Sequence, residues 1–115
     1  MARNQIVKKV RAAASGTATD SFSTADIPVG YGLAGIKPSG TLTSVNAYVE
    51  MSSDNSTFTG ISDEQDVQLV VVMASARYKR LMPAEYPVLD EFMRLSFASG
   101  ISAAREFELF FRPVA

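Results

Sequence analysis

The sequence contains no histidine, no cysteine and no tryptophan. Without histidine, neither a Ser-His-Asp nor a Cys-His relay can be assembled, nor a histidine-ligated zinc. Without cysteine there is no disulfide framework and no thiolate metal site. Long apolar runs are missing too. The longest, Leu69 to Ala74, falls far short of the roughly 20 residues that a membrane span needs. No secretory leader is expected, because Ile6-Val7 gives way at once to Lys8-Lys9 and no apolar stretch follows. A net charge of −1 gives no overall reason to expect nucleic acid. The chain is therefore expected to be soluble, with neither membrane nor nucleic acid as partner. Carboxylates, Ser, Tyr and Lys remain as chemical actors, and they form no recognisable catalytic constellation. No enzyme and no cofactor are expected.

What is present is strand pattern. At 115 residues the chain suits one domain that buries about two-thirds of its unfolded surface. Residues 44–51 alternate, with Val45, Ala47, Val49 and Met51 on one side and Asn46, Tyr48 and Glu50 on the other. That period of two predicts a half-buried strand. Residues 52–56 form a turn cluster, and residues 57–61 are expected to pair back as a hairpin. Met93, Leu95 and Phe97 are predicted inward on another strand, as are Phe107, Leu109 and Phe111 on the last. Residues 33–36 read as a short buried strand, with Gly35 marking a bulge or a close backbone approach. Residues 67–73 are apolar on both sides apart from Gln68, which predicts a strand covered on both faces. Residues 77–82 have no purely apolar face and are expected near an edge. A short helical turn is expected near 83–86, opened by Pro83. About eight strands joined by close turns make an all-β fold, an antiparallel β-sandwich with jelly-roll-like connections.

The charge is unevenly distributed. Arg3, Lys8, Lys9 and Arg11 give residues 1–19 four cations and no acid, while the remaining seven cations face twelve acids. Residues 1–14 are read as a basic arm or edge strand and residues 15–115 as a single sandwich domain. The arm is either a solvated terminus or a strip that lies on an acidic partner.

Four other groups of residues invite a chemical reading. Asp63, Glu64 and Asp66, near Asp54 and Asn55, offer hard oxygens for calcium, but their spacing matches no calcium loop and solvated acids are expected. Glu106 and Glu108 share a strand face, as paired acid–base carboxylates do. The expected reading is a polar face partnered across the ladder by Arg94 or Arg112. Arg77, Lys79, Arg80 and Arg94 with Tyr78 have the makings of a basic-aromatic strip for single strands. Because Arg77 and Arg80 point to opposite faces, edge protection is expected instead. Tyr31, Tyr48, Tyr86 and Phe110 are either an outward aromatic platform or covered by loops. The candidate partner-interface residues are therefore Arg3, Lys8, Lys9, Arg11, Tyr48, Tyr86 and Phe110.

From Tyr31 to Arg112 a series of landmarks follows in order. They are Leu33-Ala34-Gly35-Ile36, Tyr48 to Met51, Asp54-Asn55-Ser56-Thr57-Phe58 and Asp63-Glu64, then Val67 to Val72, Arg77-Tyr78, Pro83 to Tyr86 and Arg94-Leu95. In this order they resemble the small β-sandwich structural proteins of tailed bacteriophages. Asn55 stands where that pattern usually has Gly, and the basic arm lies outside it. The resemblance implies a virion structural role without catalytic residues. The specific expectation is a capsid decoration or cement protein on the capsid surface, bound to the major capsid protein as a symmetric homo-oligomer such as a trimer. The alternative is a β-sandwich module of a tail, neck or fibre that recognises carbohydrate or a receptor.

Overall fold

The alternating runs do become strands. A computed structural model describes residues 5–114 of the chain. Among them are nine strands and no helix: β1 (Ile6–Ala12), β2 (Phe22–Ser23), β3 (Tyr31–Pro38), β4 (Val45–Ser52), β5 (Thr59–Gly60), β6 (Val71–Met73), β7 (Lys79–Arg80), β8 (Phe92–Phe97) and β9 (Arg105–Pro113). They form two antiparallel sheets. The first has the order β1-β9-β3-β7 and the second β2-β8-β4-β5, with β6 also bordering β4. These are the strand orders of a jelly roll, with β6 as an extra edge piece.

The sheets face each other through the residues whose alternation marked them as inward. Leu33, Ile36, Phe107, Leu109 and Phe111 of the first sheet are fully buried, as are Met93 and Leu95 of the second, and Val49 nearly so. Phe97 meets Phe107 across the core with ring centroids 5.5 Å apart, and Phe22 meets Phe111 edge-on at 6.1 Å. Fully burying a side chain of this kind is worth about 1.5–3 kcal/mol, so this interior row supplies most of the stabilisation. Leu42 and Ile101 add further apolar cover from the connecting loops.

Four expectations need correction or sharpening. Residues 67–73 are not covered on both faces. Only Val71–Met73 forms a strand, Gln68 making an isolated bridge to Ser62, and Val67, Val70 and Val72 are 58%, 45% and 52% exposed. The reason is layering: the fold has two sheets, so the strand β6, like its neighbours, has one face on the core and an outer face that no further layer covers. The segment near 83–86 is a turn closed by the N–H of Glu85 on the Met82 carbonyl and the N–H of Tyr86 on the Pro83 carbonyl, and no helix forms. Proline at 87 stops it before a full helical turn is made. Of the two readings of residues 1–14, arm or edge strand, the described part follows the second: Ile6–Ala12 form the edge strand β1, which pairs with β9 along its whole length, and Val10 and Ala12 are buried in the common core. Gly35 does mark a bulge. The β3–β9 register shifts between Leu33 and Gly35. A Cβ there would sit 3.2 Å from the Lys79 carbonyl oxygen, so a side chain would push the edge strand β7 outward by a few tenths of an ångström, a shift that glycine avoids.

Candidate interaction surface

Strand alternation assigns the outer face of the first sheet. In β9, Glu106, Glu108, Phe110 and Arg112 alternate with the buried Phe107, Leu109 and Phe111. In β1, Val7, Lys9 and Arg11 alternate with Val10 and Ala12. Cross-strand register then sets the neighbours. Glu108 lies between Lys9 on β1 and Lys37 on β3, and Glu106 lies beside Arg11. Such pairs contribute roughly 0.2–1 kcal/mol each. The carboxylates on this face are therefore answered by Lys9, Lys37 and Arg11. Arg94, named as a partner from spacing, belongs to the other sheet. There its Nε donates to Glu50 Oε1 at 2.8 Å and its guanidinium lies 4.1 Å from the centroid of the Phe58 ring. Arg112 donates from Nε to Gln5 Oε1 at 3.0 Å.

Beside the charged rows lies an apolar concavity. Tyr78 packs against Phe110 with centroids 5.6 Å apart, and Lys37 Nζ sits 5.3 Å from the centre of the Tyr78 ring. Tyr78 remains 68% exposed. Gly35, lacking a side chain, leaves the floor low between them. The resulting groove of about 530 Å³ is also lined by Ala34, Leu81, Pro83, Lys79, Arg80 and Arg112. Its walls are aromatic and its rim carries three cations.

The residues expected at an interface are not brought onto one surface. Phe110 lies on the outer face of the first sheet. Tyr48 lies on the outer face of the second, opposite Ser96. Tyr86 is 6% exposed and closes one end of the core, where the Leu33 N–H donates to its carbonyl. Burial, with Glu85 nearby, raises its phenol pKa. Tyr31 is half-buried. The four rings thus make no shared platform, because alternation marks a side chain as outward without saying on which sheet. Lys9 and Arg11 are exposed on the outer face, whereas Lys8 is directed to the other side and pairs with Asp26 at 2.5 Å. That hydrogen bond lowers the Asp26 pKa. Arg3 lies outside the described residues. The groove wall Tyr78 was singled out in sequence beside Arg77 and Arg80, and its contact with Phe110 was hidden because β7 and β9 lie on either side of β3.

The acidic segments carry structural duties. Asp54 accepts hydrogen bonds from the Ser56 and Thr57 N–H groups at 2.9 Å and from Ser52 Oγ at 2.8 Å. Those bonds, the Thr57 one foremost, hold its carboxyl down to about 2. Asp63 Oδ1 accepts from Gln65 and Val67 N–H at 2.9 and 3.0 Å. Among the described residues, no group of three acidic, His or Cys side chains is placed to hold a metal ion.

The strand β1 has one side that β9 does not cover. The Arg11 carbonyl accepts from Asp20 N–H, so Arg11 turns its backbone groups away from β9. Antiparallel alternation turns those of Val7 and Lys9 the same way, to an open edge. No backbone partner for Val7 or Lys9 lies on that edge among the described residues. Compared with protein-family models and with curated protein sequences, the chain matches none.

Proposed function

We propose that this protein is a virion structural protein, a capsid decoration or cement protein that binds the outer surface of a major capsid protein lattice and stiffens it. The observation that carries this reading is the open basic edge of β1. A strand with outward Lys9 and Arg11, whose Val7 and Lys9 backbone groups meet no backbone partner among the described residues, is suited to accept a short extended acidic segment as an added strand. Main-chain hydrogen bonds supply affinity and the two cations supply selectivity. Weak attachment per copy is multiplied when many copies sit on one lattice. The resemblance in the order of landmarks from Tyr31 to Arg112 supports the same role, and jelly rolls recur in viral capsid and lectin domains. Fold alone does not fix the role, which is why the edge carries the proposal.

The test is charge reversal on the strand. Lys9→Glu combined with Arg11→Glu leaves the buried Val10 and Ala12 in place but sets like charges opposite Glu108 and Glu106. A Lys9→Gln, Arg11→Gln chain is therefore measured beside it, and folding of that neutral chain is expected to persist with shell binding weakened in the same direction. Co-sedimentation with expanded shells is expected to weaken by about tenfold or more, and the binding of the unaltered protein is expected to fall as salt rises. Undiminished shell binding by the doubly reversed chain would overturn the reading.

A second reading is a carbohydrate- or receptor-recognising module of a tail, neck or fibre. A depression of about 430 Å³ beside the β4–β5 loop favours it, with Asp54, Thr57, Thr59 and Asp90 in its lining. No aromatic ring lines that depression, so the stacking surface a sugar would use is missing and this reading stays second. A glycan array on the intact protein separates the two.

A further inference from the structure

The groove on the first sheet has a matching projection elsewhere on the same chain. Between β5 and β6 the chain leaves β4 and doubles back: Ser62 bridges Gln68, and the Leu69 N–H donates to the Ile61 carbonyl. The tip of this small hairpin is rigidly organised. Asp63 N–H donates to the Val67 carbonyl at 2.8 Å, Asp66 N–H donates to the Asp63 carbonyl at 3.0 Å, and the Asp63 carboxylate caps two further N–H groups. Asp66 takes φ 63°, the left-handed conformation that aspartate tolerates. The result is a preset knob. Glu64 and Asp66 extend into solvent around Val67, which is more than half exposed. A large aliphatic side chain ringed by carboxylates is the chemical complement of an aromatic-walled groove ringed by cations.

We infer that the groove lined by Tyr78, Phe110, Gly35, Lys79, Arg80 and Arg112 receives the Asp63–Val67 hairpin tip of a second copy of this chain. Three cations and no carboxylate line the groove. The tip carries three carboxylates and no cation. Val67 packs onto the exposed face of the Tyr78–Phe110 pair, and Glu64 and Asp66 meet Arg80 and Arg112. Order in both partners before contact lowers the entropic cost of docking. The contact is head-to-tail: each copy has one groove and one knob, so association closes as a ring or extends as a chain. It uses β7 and the sheet face beside it, while the open edge of β1 lies at the far side of the same sheet. Self-association and shell binding therefore stand or fall separately.

Sedimentation of the full chain tests this. The unaltered protein is expected to exceed monomer mass as concentration rises at low ionic strength, and to return towards monomer at high salt. Arg80→Glu spoils the groove and Val67→Lys spoils the knob. Both positions are exposed, so melting temperatures are expected to stay close to that of the unaltered chain. Each variant alone is expected to bind itself at least about tenfold more weakly. An equimolar mixture of the two is expected to form a dimer and nothing larger, because one intact groove then meets one intact knob. A monomer at millimolar protein and low salt would overturn the inference. So would variants that associate as the unaltered chain does, or a mixture that stays monomeric while the unaltered chain associates.

Discussion

Asn55 shows how much a single position can carry. Its φ of 59° places it in the left-handed region, where glycine is unstrained and asparagine is the next most tolerant residue. Its neighbour Asp54 holds the same loop through hydrogen bonds that only the ionised carboxylate makes at full strength. Those bonds depress its pKa from 3.8 to about 2. A depressed carboxylate pKa means stability that is present above the unfolded value and lost as pH falls through the folded one. The melting temperature of the unaltered chain is thus expected to drop between about pH 4 and pH 2 relative to an Asp54→Asn variant, whose amide still accepts the loop bonds but does not titrate. Parallel pH-dependent slopes for the two proteins would show that the loop bonds do not set the shift. At this scale the sequence was informative about orientation and silent about company. Tyr48 and Phe110 could be recognised as outward from alternation. That they lie on different sheets depended on pairings between strands far apart in the chain. Tyr86 became a core residue because the turn behind Pro83 folds back onto β3, a contact with no local signal.

Among the elements, β4, β8 and β9 were legible because one face of each is buried and the other is not, which writes a period of two into the chain. The strand β6 was misjudged for the opposite reason. An unbroken run of valines has no period, and such a run is compatible with a strand between two layers or with an uncovered edge. The strand β1 was ambiguous because its partner lies almost the full length of the chain away. With that pairing in view, removal of residues 2–14 is expected to do more than weaken attachment to a partner. It would take Val10 and Ala12 out of the core and leave β9 unpaired on one side. Loss of a cooperative unfolding transition, followed by circular dichroism during denaturant titration, is the expected outcome. A truncated chain that unfolds as sharply as the full one would show β1 to be dispensable to the fold.

For the molecule as a whole, the arrangement of the sheets matters more than any single contact. Each sheet has one face in the shared core and one outside, and each carries a different kind of outer surface. The first presents cations around aromatic rings; the second presents Tyr48, the Glu50–Arg94 pair and the exposed valines at its β6 edge. Jelly-roll order also makes most pairings distant in sequence, which slows folding to the order of milliseconds to seconds. Tyrosine fluorescence after rapid dilution from denaturant is expected to report a rate in that range, and a microsecond rate would contradict the topology. The position of β9 has a consequence for synthesis. It is the seam between β1 and β3, yet it is made after both, so until it emerges the nascent first sheet is a lone β1 and a separate β3–β7 pair. Until that moment β1 and β3 offer apolar flanks to whatever is nearby, and a chaperone or another nascent chain competes for them before the molecule can close on itself.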